Sequence, residues 1–286
     1  MQKRYLEQEK LFKKDFEEKY NSSFEQYFND TYTSNDELPM NANLFAKQNL
    51  PEKPLENVDY TTKKFSSMLK SRLSFIPAYF FYRNAKKKFK FKIHGREHFD
   101  NLKTGAVVTS NHFSIHDSLP IIDCQLNMKH RQRIYKVIQE ANYYMKGVFG
   151  IFMRNNYTLP LTRSMKGMRD FLKGCDTILK RGQLILIYPE QELWPDYSKP
   201  RPTRPGAFQI ASRSDVPVIP CFTQIKMYKD KKGVEKQQYI THVLEPIYPN
   251  MELSSRERAL DMQIRHFNAL QKLYEELYNK PLTFGE

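Results

Sequence analysis

Three short apolar runs, each ending abruptly in polar or turn-forming residues, constrain the fold of this chain more than any other feature. The runs and the residues that follow them are Ala106–Thr109 before Asn111-His112, Leu184–Ile187 before Pro189-Glu190, and 216–219 before Pro220. A run that is apolar without alternation is typical of a strand buried on both faces of a parallel sheet. Because helical patterns separate these runs, the sequence predicts an α/β fold with a mixed, largely parallel sheet flanked by helices.

The remaining elements are predicted from periodicity and from turn residues. Strands are expected at 89–94 and 134–139, and a hairpin is expected whose strands 222–228 and 235–244 flank a turn at 229–233. Apolar periodicity predicts helices over 118–128, 142–149, 164–180, 205–212 and 254–279. Gly182 is the expected stop after the third of these helices, and Pro205 opens the fourth. Ser254, followed three residues later by Glu257, marks the start of the last.

These elements divide the chain into four parts. Residues 1–60 are interpreted as a helical and irregular amino-terminal extension, 61–92 as a basic amphipathic segment facing a membrane, 93–250 as the α/β domain, and 251–286 as a carboxy-terminal helix. In 61–92, basic residues are interleaved with bulky apolar ones. This pattern suits a helix that lies on an anionic membrane surface, and equally a helix that packs on the domain with its lysines in water.

The charge of the chain predicts an anionic partner. Its 286 residues include 46 Lys and Arg against 32 Asp and Glu, a formal net charge of +14. Nucleic acid, a phospholipid surface and anionic substrates all fit such a surface. Aromatic residues make up 14% of the chain, which argues against a disordered basic tail.

The sequence also bears on the compartment in which the protein works. No apolar run reaches the roughly 18 to 20 residues that span a bilayer, and the charged first residues lack the apolar core of a secretory signal. Cys124, Cys175 and Cys221 have no paired spacing and are interpreted as reduced, intracellular core residues. We therefore expect a cytoplasmic protein, peripheral on the inner face of the cell membrane.

His112 and Asp117 are the candidate chemical centre. In one continuous helix, five residues at about 100° per step would put the two side chains on different faces. A direct pair therefore requires His112 in the turn after the strand and Asp117 at the start of the next helix. A histidine oriented by a carboxylate is a suitable general base, because its ordinary pKa of about 6.5 lies near working pH and the carboxylate fixes its tautomer.

A second carboxylate is expected at the same edge of the sheet. In α/β sheets, sites form outside the carboxyl ends of the strands, where the turns after neighbouring strands meet. If Ala106–Thr109 and Leu184–Ile187 are parallel neighbours, His112 and Glu190 face one pocket. This argument does not choose a reaction.

Asn111-His112 with Asp117 five residues after the histidine resembles the first motif of the glycerolipid acyltransferase family, which includes the 1-acylglycerol-3-phosphate acyltransferases. Later segments resemble the other blocks of that family in order. They are the Gly-x-Glu turn in 93–98, the second block in 149–153 and 159–163, the third block at 188–190, a spacer at 204–207 and the fourth block at 216–220. The resemblance covers roughly residues 90–225.

The resemblance implies a reaction. A fatty acyl group passes from a coenzyme A or carrier-protein thioester to a hydroxyl of a lysophospholipid, lysophosphatidate or a related acceptor, at the membrane surface. His112 acts as the general base and Asp117 steadies the imidazolium. No covalent enzyme intermediate, metal or organic cofactor is expected, and the thioester is a co-substrate. The expected partners are the phospholipid surface, the donor and the lysolipid, with no nucleic acid.

The resemblance also implies residues that bind the substrate. Arg163, which closes the second block just before a helix, takes the role of a phosphate ligand, because a guanidinium and a helix amino terminus both favour phosphate. Asn111 and Arg204 are further candidates for contact with the substrate. Glu190 is predicted to hold either the acceptor or its own loop.

One departure from the family pattern bears on the acceptor. The third block is usually Phe-Pro-Glu-Gly-Thr-Arg, whereas this chain has Tyr188-Pro189-Glu190 followed by Gln191, Glu192, Leu193 and Trp194. A small residue, a hydroxyl and a cation are thus replaced. Lys199, Arg201 or Arg204 is a possible substitute for the missing cation; otherwise the acceptor is a different lysophospholipid or a glycolipid.

Two other interpretations remain open. His112, His116 and Asp117 offer a metal-site alternative, because two histidines four residues apart on a helix can chelate zinc, although no third block of ligands is evident. A non-enzymatic basic module that binds membrane or nucleic acid is the other. No recognised nucleic-acid motif supports binding to nucleic acid. Salt-sensitive binding to RNA or DNA would be the signature of that interpretation.

Overall fold

The computed structural model describes residues 50–61, 65–129, 132–191 and 193–283. The strands of the described residues are β1 (Lys92–His94), β2 (Ala106–Thr109), β3 (Ile134–Ile138), β4 (Thr158–Pro160), β5 (Leu184–Ile187), β6 (Val218–Lys229) and β7 (Glu235–Val243). The helices are α1 (Phe65–Phe89), α2 (Glu97–Asp100), α3 (Ser118–Leu126), α4 (Glu140–Tyr143), α5 (Gly147–Asn155), α6 (Met165–Lys180), α7 (Gly206–Arg213) and α8 (Ser255–Tyr278).

The strands form one sheet in the order β1-β7-β6-β2-β5-β3-β4. Every neighbouring pair is parallel except β6 and β7, which form an antiparallel hairpin. The predicted fold class, a mixed and largely parallel sheet flanked by helices, is therefore confirmed. β2 lies between β5 and β6 in the middle of the sheet, so the turn that carries His112 leaves the sheet at its centre.

Helices cover both faces of the sheet. On one face, α6, α7 and α8 pack on Val107 and Ile185, and on the other α3 packs on Val108 and Leu186. The two pairs alternate along β2 and β5, as side chains of successive strand residues must. All four residues of β2 are buried, which explains its uninterrupted apolar sequence. The three cysteines are free and buried within these cores.

α1 is one continuous helix that ends at Phe89 and packs beside α3 and β7. Ser71, Ser74, Tyr82, Ala85 and Phe89 form its buried face, and Phe89 stacks on Tyr239 with 4.2 Å between ring centroids. The predicted strand over 89–94 is thus too long at its start. Lys90 takes a positive φ of 44°, which breaks the helix and delays the strand to Lys92.

The structure corrects two other predicted elements and adds one strand. The single helix expected over 142–149 is two helices, α4 and α5, and Gly147 stands at the start of the second with φ of 68°. The strand β4 was not predicted, because three residues are too few to show a period. The apolar run at 216–219 and the hairpin strand predicted over 222–228 form one strand, β6, which begins at Val218 and continues through Pro220. The Pro220 carbonyl accepts the Leu244 N–H at 2.8 Å.

Other local predictions hold. The helix expected over 164–180 begins after Ser164, whose hydroxyl caps it, and Gly182 follows its end with φ of 70°. α8 opens with Ser254 and Glu257, which form a reciprocal capping box. None of the described helices is long and apolar enough to cross a membrane. Most of the helical and irregular extension predicted over 1–60 lies outside the described residues, and the three boundaries between the four parts of the chain stay predictions.

Candidate active site

His112 and Asp117 form the pair that their spacing predicts. His112 lies in the turn after β2, and Asp117 occupies the position just before α3. Nδ1 of His112 is 2.5 Å from Oδ2 of Asp117, and the histidine side chain is 25% exposed against 4% for the aspartate. The Ser114 backbone N–H also donates to Oδ2 at 3.3 Å. Because Nδ1 is the nitrogen bonded to the carboxylate, Nε2 is the nitrogen left to act as a base.

Tyr188 completes this arrangement from the end of β5. Its hydroxyl donates to Oδ1 of Asp117 at 2.6 Å, and its ring stacks on the His112 imidazole with centroids 4.3 Å apart. Burial, and next the charge of Asp117, raise the pKa of Tyr188 well above its usual value. The phenol therefore stays protonated and remains a donor to Asp117 at working pH.

Glu190 holds the backbone of the turn that carries His112. One carboxylate oxygen accepts the His112 N–H at 3.1 Å and also two guanidinium N–H groups of Arg201, at 3.1 and 3.2 Å. The other oxygen accepts the Arg201 backbone N–H at 3.2 Å. Both Glu190 and Arg201 are buried. Of the two roles left open for Glu190, these contacts support bracing of its loop, and contact with the acceptor stays a prediction.

The same loop pairs with the other side of His112. The Trp194 backbone N–H donates to the His112 carbonyl at 2.8 Å, and the Asp196 N–H donates to the Phe113 carbonyl at 3.1 Å. The Trp194 ring lies under the Arg201 guanidinium at 4.4 Å. Glu190 thus holds the His112 backbone on its N–H side, and Trp194, in the segment that departs from the family pattern, holds it on its carbonyl side. Glu192, within that segment, lies outside the described residues.

The other predicted ligands are placed as follows. The Asn111 amide is buried and exchanges two hydrogen bonds with the Thr223 backbone, at 2.8 and 3.0 Å, which ties β2 to β6. Of the possible substitute cations, Lys199 donates to the Thr283 carbonyl at 3.0 Å and Arg201 is engaged by Glu190. Arg204 is half-buried and its backbone N–H donates to the Pro189 carbonyl at 2.8 Å. Substrate contacts of Asn111 and Arg204 stay predictions.

Arg163 lies at the same edge of the sheet but farther along it. β5 and β3 separate β4 from β2, so at about 4.8 Å per strand the two strand ends are about 14 Å apart. The Arg163 side chain is 48% exposed, and its Nε contacts Glu140 at 3.3 Å. Its Nη2 donates to the Pro51 carbonyl at 2.7 Å. The role of Arg163 as a phosphate ligand stays a prediction.

The structure points to Lys136, which the sequence reasoning missed. Lys136 is in the middle of β3 and interacts electrostatically with Asp117. Burial lowers the pKa of Lys136 to about 8, and the charge of Asp117 opposes that shift. Among the described residues it forms no ion pair. A lysine inside the apolar run Ile-Tyr-Lys-Val-Ile was the available signal, since a buried strand rarely carries an unpaired cation.

His116 does not join the pair. Its ring stacks on Phe81, with centroids 5.3 Å apart, and packs on Phe89 at 5.0 Å. Burial lowers the pKa of His116, and Lys88 lowers it further. Within the part of the chain that the structure describes, no three His, Cys, Asp or Glu side chains are arranged to hold a metal ion.

Comparisons with known proteins show which sequences are similar to this chain. Residues 90–224 match the protein family described as Acyltransferase. The chloroplastic 1-acyl-sn-glycerol-3-phosphate acyltransferase BAT2 of Brassica napus is 28% identical over 163 residues, which are 57% of this chain and 43% of that protein. The chloroplastic 1-acyl-sn-glycerol-3-phosphate acyltransferase LPAT1 of Arabidopsis thaliana is 27% identical over 133 residues, 46% of this chain and 35% of that protein.

The chain thus spans less than half the length of these curated relatives. Among solved structures, the 1-acyl-sn-glycerophosphate (LPA) acyltransferase PlsC from Thermotoga maritima is similar with a TM-score of 0.47 and 18% sequence identity. That similarity covers 75% of this chain and 88% of the other.

Proposed function

We propose that this chain transfers a fatty acyl group from an acyl thioester to a hydroxyl of a lysophospholipid. The match of residues 90–224, just under half of the chain, to the family described as Acyltransferase supports the resemblance that the sequence motifs indicate. The observation that carries the proposal is the 2.5 Å contact between His112 Nδ1 and Asp117 at the carboxyl edge of the sheet. It leaves Nε2 as a base oriented by a buried carboxylate.

The reaction needs one base and no covalent intermediate. Nε2 of His112 removes the proton of the acceptor hydroxyl while its oxygen attacks the thioester carbonyl. The tetrahedral intermediate collapses, the carbon–sulfur bond breaks, and the imidazolium returns the proton to the leaving thiolate. Asp117 stabilises the imidazolium through both proton transfers. Because the thioester is already an activated acyl group, this chemistry requires no metal or organic cofactor.

The base works only if its backbone is fixed. The contacts from Glu190 to the His112 N–H and from Trp194 to the His112 carbonyl hold the two peptide units that flank the His112 Cα. We infer that the loop after β5 positions His112. In this proposal Glu190 and Arg201 act on the rate through the geometry of the base.

The proposed acceptor carries a phosphate. Lys136 supplies a half-buried cation on the side of Asp117, and Arg163 supplies a half-exposed one at the same edge of the sheet. Two curated relatives are named as 1-acyl-sn-glycerol-3-phosphate acyltransferases, which supports lysophosphatidate or a related lysophospholipid. Leu193 stands where the third block of the family usually has an arginine, and both Leu193 and Trp194 are buried. This part of the loop therefore offers no cation to a headgroup.

We further propose that the protein works on a membrane surface through α1. Phe65, Leu69, Leu73, Ile76 and Phe80 are spaced at three or four residues and lie on the face opposite the buried one, with exposures of 73, 47, 61, 58 and 61%. An apolar stripe of this kind beside basic residues suits the boundary between headgroups and acyl chains. Both alternatives for this segment are therefore combined in one helix: one face packs on the domain and the other meets lipid.

The test is acyl transfer from a labelled acyl thioester to a panel of lysolipids, with and without a phosphate headgroup. Wild type is expected to acylate a phosphate-bearing lysolipid, and His112→Ala is expected to lose at least about a thousandfold in kcat. His94→Ala, an exposed histidine on β1, is the matched control and keeps activity. Equal activity of His112→Ala and wild type would overturn the mechanism. Vesicle binding without turnover would favour the non-enzymatic membrane module.

A further inference from the structure

α5 exposes a second apolar face, next to α1. Val148, Phe149 and Ile151 are 65, 51 and 49% exposed, whereas Gly150 on the other side of the same helix is buried. A short helix on a soluble domain normally turns its large apolar side chains toward the core. Three of them facing outward within about one turn indicate a partner that the isolated domain lacks.

The two exposed faces belong to helices in direct contact. The Ser74 hydroxyl of α1 lies 3.3 Å from both the Asn155 carbonyl and the Asn156 side-chain oxygen at the end of α5. α1 also reaches the turn of the candidate active site, where Phe81 stacks on His116. The neighbouring Ile115, between His112 and Asp117, is itself 55% exposed. Exposed apolar groups thus continue from both helices to the turn that holds the base.

The charges on these helices identify the partner. α1 carries six Lys or Arg and no acidic residue, and the only charged residue of α5 is Arg154. Lys146 precedes α5 and is exposed. A cavity of about 410 Å³ lies beside both helices, and its charged lining residues are Lys70, Arg154 and Asp59. Apolar faces bordered by cations and free of acids match an anionic phospholipid surface, in which chains and phosphates lie at adjacent depths.

We propose that the outer faces of α1 and α5 form one lipid-contact surface, which sets the edge of the sheet with His112 against an anionic membrane. This rests on the proposed function in one respect only: the surface would deliver a lysolipid to the site directly from the bilayer. Binding to lipid itself requires no catalysis. The surface is therefore testable even if the reaction is a different one.

The experiment replaces the exposed apolar groups of α5 and measures sedimentation with vesicles. The variant is Val148→Ser, Phe149→Ser and Ile151→Ser together. The matched control is Met227→Ser with Val234→Ser, two residues that are 54 and 53% exposed on the hairpin of β6 and β7. Vesicles of phosphatidylcholine are used with and without phosphatidylglycerol. Because all five side chains are exposed, both variants are expected to keep the circular dichroism spectrum and melting temperature of wild type.

We expect the α5 variant to bind phosphatidylglycerol vesicles at least about tenfold more weakly than wild type, and the hairpin control to stay within about twofold. Lys70→Glu is expected to weaken binding only to the vesicles that contain phosphatidylglycerol. Unchanged vesicle binding of the α5 variant would overturn the proposal. So would a shift from dimer to monomer with unchanged lipid binding, which would make this face a contact between two copies of the chain.

Turnover separates this proposal from the proposed function. Wild type and the α5 variant are compared on a long-chain lysolipid in vesicles and on a short-chain lysolipid that is monomeric in solution. The variant is expected to lose turnover on the first and to keep it on the second. Absence of turnover by wild type on both acceptors would reject the reaction and leave the vesicle result standing.

Discussion

The Tyr188 hydroxyl donates a 2.6 Å hydrogen bond to Oδ1 of Asp117, the carboxylate oxygen that His112 does not use. The third block of the family usually has phenylalanine at this position, so the hydroxyl is an addition to the pattern. It adds a third donor to the Asp117 carboxylate, which already accepts the His112 imidazole and the Ser114 N–H. Asp117 therefore stabilises the imidazolium less than an unshared carboxylate would.

Tyr188→Phe should therefore change the pH dependence of the enzyme while leaving the fold intact. Without the phenol, Asp117 keeps two donors, the His112 imidazole and the Ser114 N–H. We expect the pH–rate profile to differ from that of wild type and kcat at neutral pH to decrease a fewfold. Lys136 on β3, His116 in the same turn and Tyr239 on β7 also face this pair, and they are unchanged in the variant.

Tyr82→Phe is the control for this prediction. The Tyr82 hydroxyl donates to another buried aspartate, Asp123, so the variant makes the same chemical change away from the pair. Its pH–rate profile should superimpose on that of wild type. A profile of Tyr188→Phe that also superimposes on wild type would show that the bond to Asp117 has no influence on the base.

Much of this fold follows from local sequence. The boundaries of β2 and β5 agree with the apolar runs because a strand buried on both faces must be apolar at every position. α8 begins where Ser254 and Glu257 place it, because capping is a matter of four adjacent residues. The pair of His112 and Asp117 was predictable for the same reason: both residues belong to one turn, and only one local geometry brings them together.

The rest depends on long-range contacts that no local pattern shows. Arg201 reaches Glu190 across a loop, and Trp194 reaches the His112 carbonyl from a segment about 80 residues away in sequence. In the sequence, Tyr188 looks like one more residue of an apolar strand. Its hydroxyl reaches the Asp117 carboxylate only because β2 and β5 are neighbours in the sheet. The sequence shows that Lys136 interrupts an apolar run, but its orientation toward Asp117 depends on the register of β3 and β5.

Loss of Arg201 should cost both stability and rate. Arg201→Ala leaves the buried Glu190 carboxylate without its cation, and breaking a buried pair in this way costs about 3 to 5 kcal/mol of unfolding free energy. We expect kcat to fall while KM changes little, because His112 loses its fixed backbone. Denaturant unfolding and steady-state kinetics measure the two effects.

The paired replacement Arg201→Met with Glu190→Gln removes the uncompensated charge and keeps an acceptor for the His112 N–H. It should recover at least half of the lost stability. Lys180→Ala, which removes an exposed partner of the half-buried Asp176, should cost less than about 1 kcal/mol. If the double replacement is as unstable as Arg201→Ala, the ion pair is not the cause of the loss.

Lys136→Met should weaken the binding of phosphate-bearing acceptors. The pKa of Lys136 is about 8, so its cation is present at neutral pH and disappears as the pH rises through that value. We expect the variant to raise KM for a phosphate-bearing lysolipid about tenfold or more, and KM of wild type to rise above pH 8 while that of the variant does not. Lys226→Met, an exposed lysine on β6, is the control. An equal rise in KM for an uncharged acceptor would show that Lys136 shapes the site without binding phosphate.

His266 should make the protein less stable in mild acid. It lies under the end of β2, where its Nε2 is 2.8 Å from the Thr109 hydroxyl, and it is 1% exposed. Burial lowers the pKa of His266 to about 3. In the unfolded chain a histidine takes up a proton below about pH 6.5, whereas the folded protein keeps this ring neutral. The unfolded state therefore binds more protons, and the unfolding free energy falls as the pH drops from about 6.5 toward 3.

His266→Gln keeps a polar group near Thr109 and removes the titration. Between pH 6.5 and 5 the variant should lose about 2 kcal/mol less unfolding free energy than wild type, since one proton contributes about 1.4 kcal/mol per pH unit. Denaturant unfolding at a series of pH values measures the two slopes. Lys226→Gln, at an exposed position of β6, should keep the slope of wild type. Burial and the neighbouring His94 lower the pKa of His242 to about 4, so part of the acid sensitivity should persist in His266→Gln. Identical slopes for His266→Gln and wild type would mean that the buried ring is not a source of acid sensitivity.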